Sequence, residues 1–367
     1  MSEYLRTYQI RLKTVGPVFV GNGKQLGKKE YIFLDRKHVG ILDIEKFYLY
    51  VQKNRLERDF EAFMLKKSRE DLKHWVVEHS IPMNMIKDNM KYILDSGDTA
   101  LERGTPLQIM ECVKDAYGCP YIPGSSLKGM LRTLLLSCDI LENDSAYRKE
   151  KRDFEQALGI KKPRTKYLAR EADNIEGHFY RTLRRKEERP FDVVNDTMAG
   201  VIISDSKPLS VQNLILCQKI EKHVDGQEKR LNLLRECVCP ETEICFDITI
   251  DSTLSDLTIE HIRHAVRVFA DNYYEKFKSA FPNVDRPLDQ EVYLGGGCGF
   301  ASKTVVNAFF NGRENIEVTK KIFEQTGVPA MHKHARDLQY GVSPHILKCT
   351  RYRGKLLEMG LCRFEIG

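Results

Sequence analysis

The chain has 367 residues, of which 42% are hydrophobic and 30% are charged, and its formal net charge is +6. This composition is typical of a globular protein that is long enough for two domains. The sequence has no run of about 18 apolar residues, so no membrane span is expected, and its start (MSEYLRTYQI) does not have the pattern of a signal peptide.

The first elements in chain order are predicted to be a strand and a hairpin. Residues 8–15 (YQIRLKTV) alternate in polarity, which is typical of a strand. Residues 31–34 and 39–42 are apolar and flank a polar turn, so we expect them to pair. Between the strand and the hairpin lies a flexible, cationic turn that contains Gly21, Gly23 and Lys24.

The next region is predicted to be helical. Asp43 can cap a helix, and apolar residues recur at helical spacing over residues 45–94, with a break at Ile81-Pro82. We interpret its aromatic residues as helical core packing. Residues 109–113 and 118–122 are predicted to form a short strand pair.

Residues 121–136 (YIPGSSLKGMLRTLLL) form the first motif with functional potential. The turn at Gly124 is followed by Ser125 and Ser126, whose hydroxyls are suited to cap a helix. The apolar face of this helix consists of Leu127, Leu131, Leu134 and Leu135. Lys128 and Arg132 lie four residues apart on another face, so the helix start could bind an anion. An ordinary capped surface helix is an equally good interpretation.

Residues 139–190 are predicted to be a basic and irregular or mobile segment. Residues 147–190 contain fourteen lysines and arginines against eight acidic residues, and residues 303–367 contain eleven against six. Charge that is segregated in this way indicates basic surfaces for a polyanion. The segment could be a solvated linker or an arm whose cations bind RNA phosphates.

Two aspartates follow in residues 193–206 (VVNDTMAGVIISDS), in which residues 201–204 are predicted to form a buried strand. Asp196 and Asp205 could be catalytic in principle. Neither has a histidine or a second carboxylate at motif spacing, so we expect both to cap turns.

The second half of the chain is predicted to contain strands at 214–220 and 243–250 and a helix at 258–281. Residues 230–234 are predicted to lie on the connection between these strands. The ten cysteines of the chain are dispersed, which indicates free thiols in a reducing, cytoplasmic compartment. Because Cys237, Cys239 and Cys245 lack a matching second pair, neither a metal site nor a cofactor is predicted.

Residues 294–304 (LGGGCGFASKT), here called the glycine loop, form the second motif. Its glycines are Gly295, Gly296, Gly297 and Gly299. They permit backbone N–H groups to face an anion without obstruction by a Cβ atom. Phe300 could stack on a base and Lys303 could contact a phosphate.

Two catalytic or nucleotide-binding alternatives arise from the same region. The glycine loop would match an ATP-binding P-loop if Ser302 were glycine, but residues 305–310 do not favour the helix that a P-loop requires. His332 and His334 could bind RNA or perform acid–base chemistry. No partner carboxylate or tyrosine is evident in the sequence, so we interpret them as part of a polar basic surface.

Four segments together resemble the RAMP superfamily, the RNA-binding subunits of CRISPR effector complexes. They are the N-terminal LKTVGPVFVGNG, the central IPGSSLKGMLRTLL, VVNDTMAGVIISDS and the glycine loop. The glycine loop resembles GGGxGFxSKT and is the most specific match. Within the superfamily the chain is most similar to the fifth subunits of type III-A Csm complexes.

This resemblance implies a non-catalytic subunit that binds the guide RNA (crRNA), caps its 3′ end and supports its maturation. The implied partners are crRNA, the backbone RAMP subunit, the small helical subunit and recruited host nucleases. The RNA-binding residues expected from the motifs are Gly21, Gly23, Lys24, Gly124, Ser125, Ser126, Lys128, Arg132, Gly295, Gly296, Gly297, Gly299, Phe300 and Lys303. The alternative is a RAMP endoribonuclease that uses His332, His334, Asp196 or Asp205.

The order of the predicted elements suits an α+β fold of two ferredoxin-like (RRM-like) units with helical insertions. The resemblance points to the same fold. We expect an N-terminal domain at 1–138, the basic segment at 139–190 and a C-terminal domain at 191–367.

Overall fold

The computed structural model describes residues 4–66, 70–101, 108–160, 167–286, 290–328, 332 and 334–367. They form a mixed α+β fold in which helices pack against two β-sheets. None of the helices within these ranges has the length and apolarity needed to cross a membrane. The predicted basic run Lys161-Lys162-Pro163-Arg164 lies outside the described residues.

The strands are β1 (Leu5–Thr14), β2 (Gly21–Leu26), β3 (Tyr31–Phe33), β4 (His38–Leu42), β5 (Met90–Asp95), β6 (Ile109–Cys112), β7 (Val201–Ile203), β8 (Leu214–His223), β9 (Glu228–Val238), β10 (Glu243–Asp251), β11 (Glu291–Tyr293), β12 (Ile346–Tyr352), β13 (Lys355–Glu358) and β14 (Leu361–Ile366). The helices are α1 (Ile44–Lys53), α2 (Glu57–Leu65), α3 (Leu72–Glu78), α4 (Met83–Asp88), α5 (Gly124–Glu142), α6 (Arg148–Leu158), α7 (Ala169–Tyr180), α8 (Ile259–Lys276), α9 (Val306–Phe309), α10 (Gly312–Gln325) and α11 (Asp337–Tyr340).

The first sheet has five strands in the order β11-β14-β1-β10-β7. Its chain order β1, α5, β7, β10, α8, β14 has the β-α-β-β-α-β connectivity of a ferredoxin-like unit. The helices α5 and α8 contact each other, and each buries an apolar face, which for α5 is the predicted one. The core of this unit therefore lies between the two helices and the alternate inward side chains of β1 and β10.

The second sheet has nine strands, seven of them in the order β2-β6-β9-β8-β5-β4-β3, while β12 pairs with β8 and β13 pairs with β12. This order does not confirm a second ferredoxin-like unit. Both sheets take strands from residues 1–138 and from residues 191–367. In both sheets, strand pairing therefore connects residues 1–138 with residues 191–367.

The helices α1–α4 form a second core with the aromatic packing that their sequence predicts. Phe47, Phe60, Phe63 and Trp75 are buried and contact one another ring to ring. The predicted helical region nevertheless ends too late, because residues 90–95 form β5. Antiparallel pairing of β5 with β4 outweighs the helical spacing there.

Two further predictions are wrong. Residues 228–238 form β9, which pairs along β8, rather than a connection. The described part of residues 139–190 is largely helical rather than irregular, because α5 continues to Glu142 and α6 and α7 follow. Each of these charged helices has a buried apolar stripe, which anchors it to the main core.

Candidate functional site

The two predicted glycine segments meet at one residue, Phe19, which lies two residues before β2. The backbone N–H of Gly296 donates a hydrogen bond to the Phe19 carbonyl at 2.6 Å. On the other side, a Cβ atom on Gly21 would lie 2.7 Å from the Phe19 ring. Gly23 and Lys24 continue along the exposed edge strand β2, and Gly23 has a φ of +85°. Contacts at Phe19 thus hold the glycine loop beside this edge.

The backbone of the glycine loop requires glycine at several positions. Gly295, Gly297 and Gly299 have φ values of +83°, +107° and +98°, a region that L-residues with side chains rarely occupy. A Cβ atom on Gly295 would lie 2.3 Å from the Phe19 carbonyl oxygen, and one on Gly297 would lie 2.7 Å from Arg235 Nη1. Close approach of the loop to its neighbours therefore excludes side chains here.

Replacing Gly295 with alanine is expected to lower the free energy of unfolding by about 2 kcal/mol, since the methyl group collides with the Phe19 backbone. Gly354 is the matched control, because it has a φ of +76° but nothing within 4 Å of its Cβ position. Gly354→Ala should cost about 1 kcal/mol, the backbone strain alone. If chemical denaturation showed the same loss in free energy of unfolding for both variants, the contact with Phe19 would not constrain the loop.

Arg235 on β9 is the functional candidate that the sequence reasoning missed. Its guanidinium lies 5.1 Å from the centre of the Phe19 ring and packs against Gly297. Its Nε and Nη1 atoms are buried, and neither has a hydrogen-bond partner among the described residues. Unsatisfied buried N–H groups on a cation are costly. They point to an acceptor, such as a phosphate oxygen, that the protein itself does not supply.

Further positive charge lies beside Arg235. Lys348 Nζ is 2.6 Å and Lys219 Nζ is 3.7 Å from the same Glu221 carboxylate oxygen. Burial alone raises the pKa of Glu221, but the two lysines hold it below its ordinary value. The carboxylate is therefore ionised and balances one of the three cations. The Lys348 side chain also borders Gly299, with 3.4 Å from its Cγ to the Gly299 Cβ position.

The end of the glycine loop and the middle of α5 line a common cavity of about 410 Å³. Lys303 and Phe300 reach it from the loop, and Gly129 and Arg132 reach it from the helix. Lys303 is exposed, and its ammonium has no partner within the described ranges. The Phe300 ring is half-buried and lies edge-on to Phe323 at 5.1 Å between centroids, so its predicted stacking face is partly covered.

The start of α5 differs from the sequence prediction. The helix begins at Gly124 with Pro123 as N-cap, and neither Ser125 nor Ser126 forms a side-chain cap. The Gly124 N–H instead donates to the Asp205 carboxylate at 2.8 Å. Gly124 is needed because a Cβ atom there would lie 2.4 Å from the Ser204 carbonyl oxygen. A carboxylate thus occupies the position where the sequence suggested an anion site.

Lys128 and Arg132 make internal contacts. Lys128 Nζ donates to the Met198 and Val201 carbonyls at 2.8 and 2.7 Å. Arg132 donates to Asp196 at 2.8 Å and to Glu176 at 2.7 Å, and its guanidinium lies over the Tyr180 ring. Both side chains therefore fasten α5 to its neighbours.

Asp196 caps a turn, as predicted, because it accepts a hydrogen bond from the Met198 N–H at the start of a 3-10 turn. Asp205 instead accepts from the Gly124 N–H of the distant helix α5. For the P-loop alternative, the helix after the glycine loop is only the four-residue α9. Such a short helix does not provide the extended N-terminus on which a P-loop holds phosphates.

The structure does supply a carboxylate partner for His334. Asp337 is fully buried, and its oxygens contact His334, His345 and Ser343. His332 stacks on His334 with 6.1 Å between ring centroids. This cluster does not match a known sequence motif, because its carboxylate and second imidazole follow His334 at irregular spacing.

Comparisons with known proteins are consistent with these features. The sequence profile of the RAMP superfamily matches residues 11–323. The CRISPR system Cms protein Csm5 of Mycobacterium tuberculosis (strain CDC 1551 / Oshkosh) is 27% identical over 392 aligned residues, which cover 100% of this chain and 99% of that protein. The Csm5 of Streptococcus thermophilus is 28% identical over 321 residues, which cover 83% and 82% of the two chains.

Two solved structures share the fold. A chain in the cryo-EM structure of a Csm-crRNA-target RNA ternary complex in a type III-A CRISPR-Cas system superposes with a TM-score of 0.63 at 18% identity, covering 98% of this chain and 100% of that chain. The crystal structure of T. onnurineus Csm5 superposes with a TM-score of 0.61 at 17% identity, covering 96% and 99%.

Proposed function

Because the chain belongs to the RAMP superfamily, we propose that it is a non-catalytic, RNA-binding subunit of a type III-A Csm complex. The observation that carries this proposal is the guanidinium of the half-buried Arg235 beside the glycine loop, of which Nε and Nη1 are the buried atoms. Its Nε and Nη1 donors without a partner among the described residues and the neighbouring lysines suit the phosphates of an RNA strand. Contacts to phosphate are largely independent of sequence, as a variable guide requires.

In this proposal the chain caps the 3′ end of crRNA and supports crRNA maturation. Its partners are crRNA, the backbone RAMP subunit, the small helical subunit and recruited host nucleases. The phosphate ligands are Arg235, Lys303 and Lys24, which surround the glycine loop and the β2 edge. Lys128 and Arg132 instead stabilise the fold, since their charged groups already have protein partners.

The test is binding of an unstructured RNA of about 40 nucleotides across a salt series, with RNA integrity followed in the same samples. Sequence-tolerant binding that weakens steeply with salt and leaves the RNA intact supports the proposal. If the folded chain does not bind, co-purification with the other Csm subunits tests membership of the complex. Failure of both would contradict the proposal.

Lys303→Ala is expected to weaken RNA binding about three- to tenfold and to flatten the slope of log K against log salt by about one. The exposed ammonium loses one phosphate contact, and no internal partner is left behind. Lys87→Ala is the control, because Lys87 is an exposed cation on α4, in the separate helical core. If the loss of affinity depended strongly on the RNA sequence, a contact between Lys303 and the RNA backbone would be contradicted.

The endoribonuclease alternative is favoured by one observation, the pairing of His334 with Asp337. Burial argues against it, since Asp337 is 0% and His345 is 2% exposed. A substrate phosphate would have to displace packed side chains to reach either group. RNA cleavage by highly purified protein, abolished in His334→Ala but retained in Asp196→Asn, would support the nuclease and overturn our proposal.

A further inference from the structure

The cluster around Asp337 brings together a donor set that the proposed RNA contacts do not use. Asp337 Oδ2 lies 3.1 Å from His334 Nδ1, and Oδ1 contacts His345 Nδ1. The three ligand atoms lie within 4.8 Å of one another. Atoms bound to one zinc ion at about 2.0–2.2 Å are at most about 4.4 Å apart, so small shifts would place all three around a single ion.

Burial also distinguishes this cluster. The Asp337 side chain is 0% exposed, and its two oxygens contact His334, His345 and Ser343. No lysine or arginine in the described part of the chain forms an ion pair with it. A buried charge of this kind is normally paired or coordinates a metal.

We propose that His334, Asp337 and His345 bind one divalent first-row transition-metal ion, for which Zn²⁺ is the probe. Two imidazole nitrogens and one carboxylate oxygen are ligands that suit such ions. His334 is the more exposed imidazole, with 12% of its side chain accessible, and it offers the route by which an ion and a water ligand enter. This inference goes beyond the proposed RNA-binding function and does not depend on it.

The position of the ion gives it a structural role. His334 lies in the 3-10 turn before α11, and His345 immediately precedes β12. The ion would therefore fasten the α11 region to the second sheet. The His334 ring also packs on Phe323 at 4.4 Å between centroids, and Phe323 packs on Phe300 of the glycine loop. Metal binding would thus stabilise the packing of His334 and Phe323 that supports the glycine loop.

The direct experiment uses the wild-type full chain, stripped with a chelator and then equilibrated with micromolar Zn²⁺. We expect about one tightly bound equivalent by mass spectrometry of the metal content. Co²⁺ in place of Zn²⁺ should give the visible absorption of a nitrogen- and oxygen-ligated ion. A folded wild-type protein that binds no Zn²⁺ above a metal-free reference, or one whose Co²⁺ shows only the hexa-aquo spectrum, would overturn the proposal.

Variants locate the site. His334→Ala and His345→Ala should each lose the bound equivalent, while His264→Ala should retain it. The His264 variant is the matched control, because His264 belongs to the other three-residue donor group, with Cys138 and Glu142. If both cluster variants retained the bound Zn²⁺ and the His264 variant lost it, the proposal would also be overturned. If the cluster variants do not fold, the wild type and His264→Ala decide, since no Zn²⁺ on the first, or loss of Zn²⁺ from the second, would overturn the proposal. RNA binding remains a separate readout.

Discussion

Replacing Arg235 with methionine is expected to weaken RNA binding by about ten- to a hundredfold, the effect of losing hydrogen bonds to a charged group. The same change should not lower the free energy of unfolding of the RNA-free protein. Both expectations have one cause, because the Nε and Nη1 groups are buried without an acceptor in the part of the chain that the structure describes. Binding titrations and chemical denaturation on the same preparation test the two halves of this prediction.

Methionine is the informative replacement for Arg235, since it fills a similar volume without polar hydrogen. The substitution loses the cation–π contact with the Phe19 ring, which costs about 0.5–2 kcal/mol. It also removes two unsatisfied buried donors, each of which destabilises the folded protein by about 1–3 kcal/mol. Arg313→Met is the control, because Arg313 is an arginine on α10 with 81% of its side chain exposed. A clear loss of stability with unchanged RNA affinity would assign Arg235 to the core alone.

Replacing Arg132 with alanine is expected to lower the free energy of unfolding by about 3 kcal/mol, near the lower end for breaking a buried ion pair. Its guanidinium is 24% exposed and contacts Asp196, Glu176 and the Tyr180 ring. Removal leaves the Asp196 carboxylate, only 12% exposed, without its cation. Denaturant titration at neutral pH measures this loss.

The matched control for this stability prediction is Arg313→Ala, because Arg313 pairs with Glu317 on an exposed helix surface. That change should cost only about 0.3–0.5 kcal/mol. If Arg132→Ala instead weakened RNA binding with stability unchanged, Arg132 would be a phosphate ligand, as the sequence alone suggested. The two roles are therefore separable by measuring stability and affinity in one variant.

Local pattern was sufficient for much of the fold. The apolar spacing of Leu127, Leu131 and Leu134 predicted the buried face of α5, and the hairpin of β3 and β4 followed from its apolar arms. The family prediction from the four motifs is confirmed by the profile match over residues 11–323. Each of these features is encoded within a short stretch of sequence.

Long-range pairing could not be predicted in the same way. Residues 90–95 have helix-like spacing but become β5, because β4 offers them a partner strand. The ferredoxin-like sheet places β1 between β10 and β14, which follow it by more than two hundred residues in the chain. No local signal specifies which distant strand completes a sheet.

The candidate site could be predicted only in part, because some of its residues are brought together by long-range packing. Glycine at 295, 297 and 299 carries its own conformational requirement, so the loop was evident from the sequence. Arg235 was not, since it lies in an ordinary strand and becomes notable only when Phe19 and Gly297 pack around it. An unsatisfied buried donor is a property of the folded chain, and sequence spacing does not reveal it.

The most direct test of RNA binding at the glycine loop is hydrogen–deuterium exchange of the full chain with and without saturating single-stranded RNA. We expect slower amide exchange in residues 294–304 and in β2 when RNA is bound, with little change in α1 and α2 of the separate helical core. RNA that binds and protects other segments while leaving residues 294–304 unchanged would contradict the account.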